Sequence, residues 1–284
     1  MRLGSFVGEG GLRIAYRSWA PRSPRAPRAT VVVVHTALDH SARYDEFARL
    51  LVRRGMTVWA HDQRGHGHSD GAAGVIDKLE HATADLGQVV DLATRDHGAP
   101  CFVVAHSMGA VVALSYALDH QERLAGLVTT AATLDSSPAP LPLRLLGDVF
   151  HLDRIAAQLT PRFPLLAFPS HEITTDPGEA EAHATDPLIH HGRMPMRTAS
   201  ELAHAIRGAL TKRLGELHLP VLAFHGAEDP IVGPSASRRL HDAVSSQDRT
   251  LSVLDGLRHD LFHERQPQRR QLFEQIADWI EARA

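Results

Sequence analysis

Ser107 lies in Val104-Ala105-His106-Ser107-Met108-Gly109-Ala110, between an apolar run and a run of small residues with helical spacing. A serine on so tight a strand-to-helix turn has its hydroxyl thrust out at the sheet edge, beside the free N–H groups of the helix start. Residues two positions to either side must be small, because the turn brings them against neighbouring backbone; Ala105 and Gly109 meet this need. A serine hydroxyl is a poor nucleophile at neutral pH and requires a base, and the base requires an acid to orient it. On such a sheet the chain order is nucleophile, acid, histidine. Phe224-His225-Gly226-Ala227-Glu228-Asp229-Pro230 offers Glu228 and Asp229 just after an apolar run. Asp229 is preferred, since it precedes Pro230-Ile231-Val232 at the entry to the next helix. His259, in Leu254-Asp255-Gly256-Leu257-Arg258-His259-Asp260, falls in the loop before the last helical pattern. A helix-capping serine and two loop residues would leave the same letters, but three such residues in the right order at strand ends argue for a joint role. The oxyanion of acyl transfer also needs backbone donors. Met108 supplies one, and Ala37, in the loop His35-Thr36-Ala37-Leu38-Asp39-His40, the other.

The elements around these residues are legible from periodicity. Leu12–Arg17 alternates as a half-buried antiparallel strand should. Ala29–Val34, Thr57–Ala60, Cys101–Val104, Leu124–Thr130, Val221–Phe224 and Thr250–Leu254 read as strands. Helical patterns fall at Tyr44–Arg54, stopped by Gly55, at Leu79–Ala93, at Met108–His120, near Ser235–Val244 and at the end of the chain. Strands apolar on both faces that alternate with helices predict a mostly parallel mixed sheet with helices on both sides, an α/β fold.

One segment breaks this rhythm. From residue 134 to 200 there is no convincing strand, but many prolines and a set of large apolar residues, including Leu145, Leu146, Phe150, Phe163 and Phe168. An insertion of this length is usually functional. The reading is therefore a core of residues 1–133 and 201–284 with a helical cap, 134–200, over the carboxyl ends of the strands. The cap's apolar residues are expected to line or cover an acyl channel and to make transient contact with a lipid surface.

Composition narrows the function classes. With 43% hydrophobic and 22% charged residues the chain is of the globular type, and a net charge of −3 gives no bulk attraction for nucleic acid. The single cysteine, Cys101, permits no intrachain disulfide, and the first residues lack a signal-peptide stretch, so a cytoplasmic location, peripheral to membrane at most, is expected. The 20 histidines require metal to be weighed. His66-Gly67-His68-Ser69-Asp70 begins like a metallo-hydrolase motif, but Gly71 stands where its last histidine belongs. No metal and no cofactor are expected, and no nucleotide-binding glycine fingerprint is present. The oligomeric state is left open.

His35-Thr36-Ala37-Leu38-Asp39-His40-Ser41-Ala42-Arg43-Tyr44 resembles the H-G-x-G-E-H-x-x-R-Y stretch of monoacylglycerol lipases, lysophospholipase-like serine hydrolases. Asp62-Gln63-Arg64-Gly65-His66-Gly67-His68-Ser69 resembles their D-x-R-G-H-G-x-S loop. Thr185-Asp186-Pro187-Leu188, His191-Gly192 and Ser246-Gln247-Asp248-Arg249-Thr250-Leu251 are also similar, so the resemblance runs from about residue 10 to 282. It implies an α/β-hydrolase with a mobile cap acting on monoacylglycerols or related carboxylic esters, with Ala37 and Met108 as oxyanion donors. It also implies that Asp39 and Arg43 approach the alcohol head group.

The sequence departs from the pattern where Thr36 and Leu38 replace two glycines, where Ala105 and Ala110 replace the outer glycines around the serine, and where Asp39 replaces a glutamate. Glycine permits backbone angles that β-branched Thr36 resists, so the loop is expected to have ordinary angles or to be shifted. Leu38 is expected to occupy head-group space. The expected substrate is a small ester or lipid ester. Thioester hydrolysis, acyl transfer or a biosynthetic ester hydrolysis on the same residues is the alternative, followed by a low-turnover binding protein on this scaffold.

Overall fold

The computed structural model describes residues 1–22, 26–96, 98–134 and 152–284. The chain opens with an antiparallel hairpin, β1 (Arg2–Val7) and β2 (Arg13–Trp19). β3 (Thr30–Val34), β4 (Thr57–His61), β5 (Cys101–His106) and β6 (Gly126–Thr130) follow. β7 (Pro164–Leu166) and β8 (Met194–Pro195) form a separate antiparallel pair, and β9 (Val221–Gly226) and β10 (Arg249–Leu254) complete the main sheet. Its order is β1-β2-β4-β3-β5-β6-β9-β10, parallel throughout except for β1–β2 and β2–β4. The chain therefore has the expected α/β-hydrolase architecture.

The alternation of side chains explains why the strands are continuous apolar runs. Val32, Val34, Val103 and Ala105 face a core shared with helices Leu79–Thr94, Met108–His120 and Met196–Arg207. Val31, Val33, Phe102 and Val104 face another, shared with helices Asp45–Arg53 and Gln268–Glu281. Each aliphatic side chain fully buried between these layers contributes roughly 1.5–3 kcal/mol. β3 and β5 lie side by side in register, Val34 opposite Ala105, so the loops leaving them, which begin at His35 and Ser107, emerge at one edge of the sheet.

The described part of the insertion departs from the expected reading in two respects. It contains helices Leu152–Leu159, Ser170–Ile173 and Pro177–Thr185, but also the β7–β8 pair, too short and too proline-rich for periodicity to reveal. The expected boundary at residue 200 falls inside helix Met196–Arg207, whose Leu202 and Ile206 belong to the main core. Leu145, Leu146 and Phe150 lie outside the described residues, while Phe163 is exposed and Phe168 packs half-buried against the core.

Candidate active site

Ser107 occupies the turn between β5 and helix Met108–His120 with φ 53° and ψ −116°. A non-glycine residue in this region carries strain of order 1–3 kcal/mol and persists only where its surroundings impose it. Here the Ser107 N–H donates to the Thr130 carbonyl at 2.9 Å, and the Ala110 N–H donates to the Ser107 carbonyl at 3.0 Å. A Cβ on Gly109 would lie 2.5 Å from the carbonyl oxygens of Val34 and His35, so the helix docks on the end of β3 only with glycine there. Ala105 and Ala110, where the related pattern has glycine, fit fully buried.

The turn aims Ser107 at a histidine and that histidine at an acid. Ser107 Oγ is 2.9 Å from His259 Nε2, and His259 Nδ1 is 2.7 Å from Asp229 Oδ2. Glu228, the acid passed over in the sequence, is not in this line. Asp229 Oδ1 accepts the backbone N–H groups of Ile231 and Val232 at 2.8 and 2.9 Å. Burial alone would raise the Asp229 pKa, but the His225 ring beside it and the hydrogen bonds from His259 and the Val232 N–H hold it well below the usual carboxylate range. Donated Nδ1–H leaves His259 Nε2 free to take the serine proton. The acid and histidine loops meet at Gly226, where a Cβ would lie 2.1 Å from the Arg258 carbonyl oxygen and 2.4 Å from that of Leu257.

The loop carrying His259 is clamped by Ile173, Thr174 and Thr175 of the inserted segment. The Asp260 N–H donates to the Ile173 carbonyl and Thr174 Oγ1 to the His263 carbonyl, both at 2.7 Å. Buried Glu264 accepts the Arg258 N–H at 2.7 Å and the Thr175 N–H at 3.1 Å. His106, the last residue of β5, packs beside the serine: its ring lies 5.0 Å from that of His259, with Nδ1 2.9 Å from Thr130 Oγ1. Burial pushes its pKa down to about 4.

Of the two expected oxyanion donors, Met108 follows Ser107 directly, and Ala37 lies in the loop that leaves β3 at the same edge of the sheet. Met108 begins its helix, so its N–H has no acceptor one turn back. The loop of Ala37 is tied down at His35, whose Nε2 accepts the Gln63 N–H at 2.9 Å and whose carbonyl accepts Gln63 Nε2 at 2.6 Å. Thr36 keeps an ordinary φ, whereas Leu38 takes φ 65°. The expectation of ordinary angles therefore holds at Thr36 and fails at Leu38, which is not β-branched and can enter the left-handed region at about 1–2 kcal/mol. The Leu38 side chain is buried against Gly74.

Asp39 and Arg43, expected near a head group, are placed in a buried ion cluster. Arg43 Nε is 3.2 Å from Asp39 Oδ1, and an Arg43 terminal nitrogen is 3.4 Å from Asp260 Oδ2. His263 completes it: Nδ1 is 2.8 Å from Asp260 Oδ2 and Nε2 3.0 Å from the Arg43 carbonyl oxygen. Both partners accept, so both ring nitrogens carry protons and His263 is an imidazolium. Burial would lower its pKa, yet Asp260 raises it above the ordinary value. Sequence reading missed Asp260, His263, Gln63 and His225; the spacings Asp260-x-x-His263 and His225-x-x-x-Asp229 are the only local signals of these pairs.

A doubly covered, mostly parallel sheet with a serine on its strand–helix turn and an acid and a histidine on later loops defines an α/β-hydrolase. A family model described as Hydrolase_4, serine aminopeptidase S33, matches residues 25–266, and the chain belongs to that family. It is 30% identical over 277 residues to a monoacylglycerol lipase of Mycolicibacterium smegmatis, covering 97% of this chain and 95% of the relative. It is 28% identical to human monoglyceride lipase over 98% of this chain and 89% of that one. The crystal structure of a monoacylglycerol lipase from Paleococcus ferrophilus superposes with a TM-score of 0.83 at 23% identity, covering 95% of this chain and 99% of that one. This chain is thus a carboxylic ester hydrolase of the monoacylglycerol lipase-like group.

Proposed function

We propose that the protein hydrolyses monoacylglycerols or similar lipid esters by a Ser107–His259–Asp229 triad through an acyl-enzyme. The observation that carries this reading is the hydrogen-bonded line Ser107 Oγ, His259 Nε2, His259 Nδ1, Asp229 Oδ2 at 2.9 and 2.7 Å on a strained turn. His259 takes the Ser107 proton as Oγ attacks the ester carbonyl. The N–H groups of Ala37 and Met108 receive the oxyanion, and His259 returns the proton to the departing alcohol. Water then attacks the acyl-serine, with His259 as base, releasing the acid and restoring Ser107. Asp39 and Arg43 act through the loops they join: with Asp260 and His263 they brace the oxyanion loop against the His259 loop.

The relatives are monoacylglycerol lipases by name, and this favours a glycerol ester. The apolar, exposed Leu159 and Phe163, with Arg162 beside them in sequence, fit a cap that rests on a lipid surface. Among the described residues no helix is long and apolar enough to cross a membrane. Leu38, wedged below the cap, supports a second reading in which the alcohol is not glycerol.

Fluorophosphonate labelling of wild type and Ser107→Ala, followed by a panel of monoacylglycerols, acetyl esters, aryl esters and thioesters, tests both readings. Labelling lost in Ser107→Ala and highest kcat/KM on medium-chain monoacylglycerols are expected. Preference for a rigid polar ester or a thioester would replace the substrate class. Unchanged hydrolysis in Ser107→Ala would overturn the mechanism.

A further inference from the structure

Asp229 Oδ2 has a second imidazole beside it. His225, in β9, is fully buried, and its Nε2 lies 3.2 Å from the oxygen that accepts from His259. The ring is fixed from two sides. Nε2 is 2.8 Å from the Val232 carbonyl oxygen, and Nδ1 is 2.6 Å from the hydroxyl of buried Ser237. A carbonyl can only accept, so Nε2 carries a proton, directed at Val232 with Asp229 Oδ2 alongside. In the neutral ring the Ser237 hydroxyl then donates to Nδ1, which selects the tautomer.

This arrangement constrains the carboxylate more than a triad alone requires. Oδ1 is held by two backbone N–H groups and Oδ2 by His259, with the His225 N–H on its flank. Val232 takes part twice: its N–H donates to Asp229, and its carbonyl accepts from His225. The turn that delivers the acid is thereby closed into one hydrogen-bonded unit whose other end is Ser237, in helix Ser235–Ala243. The carboxylate cannot rotate away from His259 without leaving the His225 N–H to Val232 alone.

We propose that His225 is a positioning residue for Asp229, fixing the orientation in which its carboxylate receives the His259 Nδ1–H, and that Ser237 holds His225 in the tautomer this requires. The inference rests on Ser107, His259 and Asp229 acting as the catalytic unit proposed above. Misorientation of a carboxylate partner acts on the chemical step more than on substrate binding, because it changes how well the base is held and not the shape of the pocket.

The test compares wild type, His225→Phe and His225→Gln, each with Asp229 intact and in an Asp229→Asn background. The substrate is a soluble aryl ester, with active sites counted by fluorophosphonate. His225→Phe keeps a planar ring without a donor, and His225→Gln can place an N–H where Nε2 stands. The expected result is a fall in kcat of about 10–100-fold per active site for His225→Phe, with KM changed less than about threefold. His225→Gln should recover most of it. In Asp229→Asn the same phenylalanine change should cost less than about twofold, because coupled residues are non-additive. The low-field proton resonance of His259 Nδ1–H should also shift in His225→Phe. A loss of equal size in both backgrounds, or one confined to the number of active sites, would mean that His225 only packs the core. If His225→Phe does not fold, Ser237→Ala takes its place, with a kcat loss of about threefold or more expected and an unchanged kcat overturning the proposal. Ser107→Ala is assayed in parallel: full activity there would remove the triad reading itself, whereas an inactive Ser107→Ala beside an unaffected His225→Phe would remove only this inference.

Discussion

The backbone N–H of His190 donates to the carbonyl of Leu38 at 2.9 Å, and this bond joins the inserted segment directly to the loop that contains Ala37. A second tie runs beside it, from His40 Nε2 to Asp186 Oδ2 at 3.0 Å. The left-handed φ of Leu38 turns its carbonyl to His190 and its side chain onto Gly74. The residue that departs from the glycine of the related pattern is therefore built into the contact between the inserted segment and the loop after β3.

Replacing Leu38 by glycine should relieve about 1 kcal/mol of backbone strain but remove a buried side chain whose loss costs about 2–5 kcal/mol. The expected net effect is a melting point lower by several degrees. Hydrolysis of small aryl esters should stay within a few-fold of wild type, since the Ala37 N–H remains, while discrimination among alcohol groups relaxes. Calorimetry and an alcohol series at fixed acyl chain measure the two effects. Thr36→Gly, at an ordinary φ, should change neither; a large rate gain on all esters would show instead that the native loop presents Ala37 poorly.

Gly226 is a second position where one methyl group should matter. In Gly226→Ala the added carbon meets two backbone carbonyls of the His259 loop, so Asp229 and His259 must separate. A displacement approaching 1 Å at such a contact lowers rates by about 10²-fold. A fall in kcat of at least tenfold with little change in KM is expected. Kinetics equal to wild type would mean that the loops can part without disturbing the His259–Asp229 bond.

Acid should destabilise the fold through buried neutral histidines. Burial pushes the pKa values of His61, His66 and His106 down to about 4 from an ordinary 6.5. The unfolded chain takes up these protons as pH falls below about 6.5 and the folded chain does not. Each histidine therefore removes about 1.4 kcal/mol per pH unit across the window from roughly 6.5 to 4. The stability these groups contribute is fully present above the unfolded value. Urea midpoints between pH 7.5 and 4.5 measure the slope; a flat profile would contradict neutral burial.

How far the site could be read in advance follows from where its information lies. β3, β5 and helix Met108–His120 are dense in β-branched or small apolar residues, so periodicity located them, the helix to the residue. β1 escaped because it is an exposed edge strand, with Leu3 and Val7 open to solvent and no buried face to mark it. Ser107, Asp229 and His259 could be nominated because each follows a strand, and the structure brings them together. The Arg43–Asp260 and His263–Arg43 contacts could not be read, because they join residues more than 200 positions apart and depend on how two loops pack. The conformation at Leu38 was equally hidden, since its unfavourable local angle is offset by contacts with His190 and Gly74, both distant in sequence.

His263 should give stability an alkaline limit. Asp260 raises its pKa above the ordinary 6.5 despite burial, so its contribution is fully present below the unfolded value and is lost as pH rises through the folded one. Deprotonation leaves one ring nitrogen facing an acceptor with no proton between them, either the Asp260 carboxylate or the Arg43 carbonyl. The cluster then holds Asp39 and Asp260 against Arg43 alone, and the brace between the Ala37 and His259 loops loosens. Wild-type thermal stability is therefore expected to decline as pH rises above the ordinary histidine value of 6.5, over a range where His263→Gln stays flat. The glutamine variant should be less stable at pH 6 by about 1–3 kcal/mol, the cost of leaving a buried charged partner short of a hydrogen bond. Thermal melts of both proteins from pH 6 to 9.5 make the comparison. Parallel profiles would show that His263 does not titrate in the folded state and that the decline has another origin.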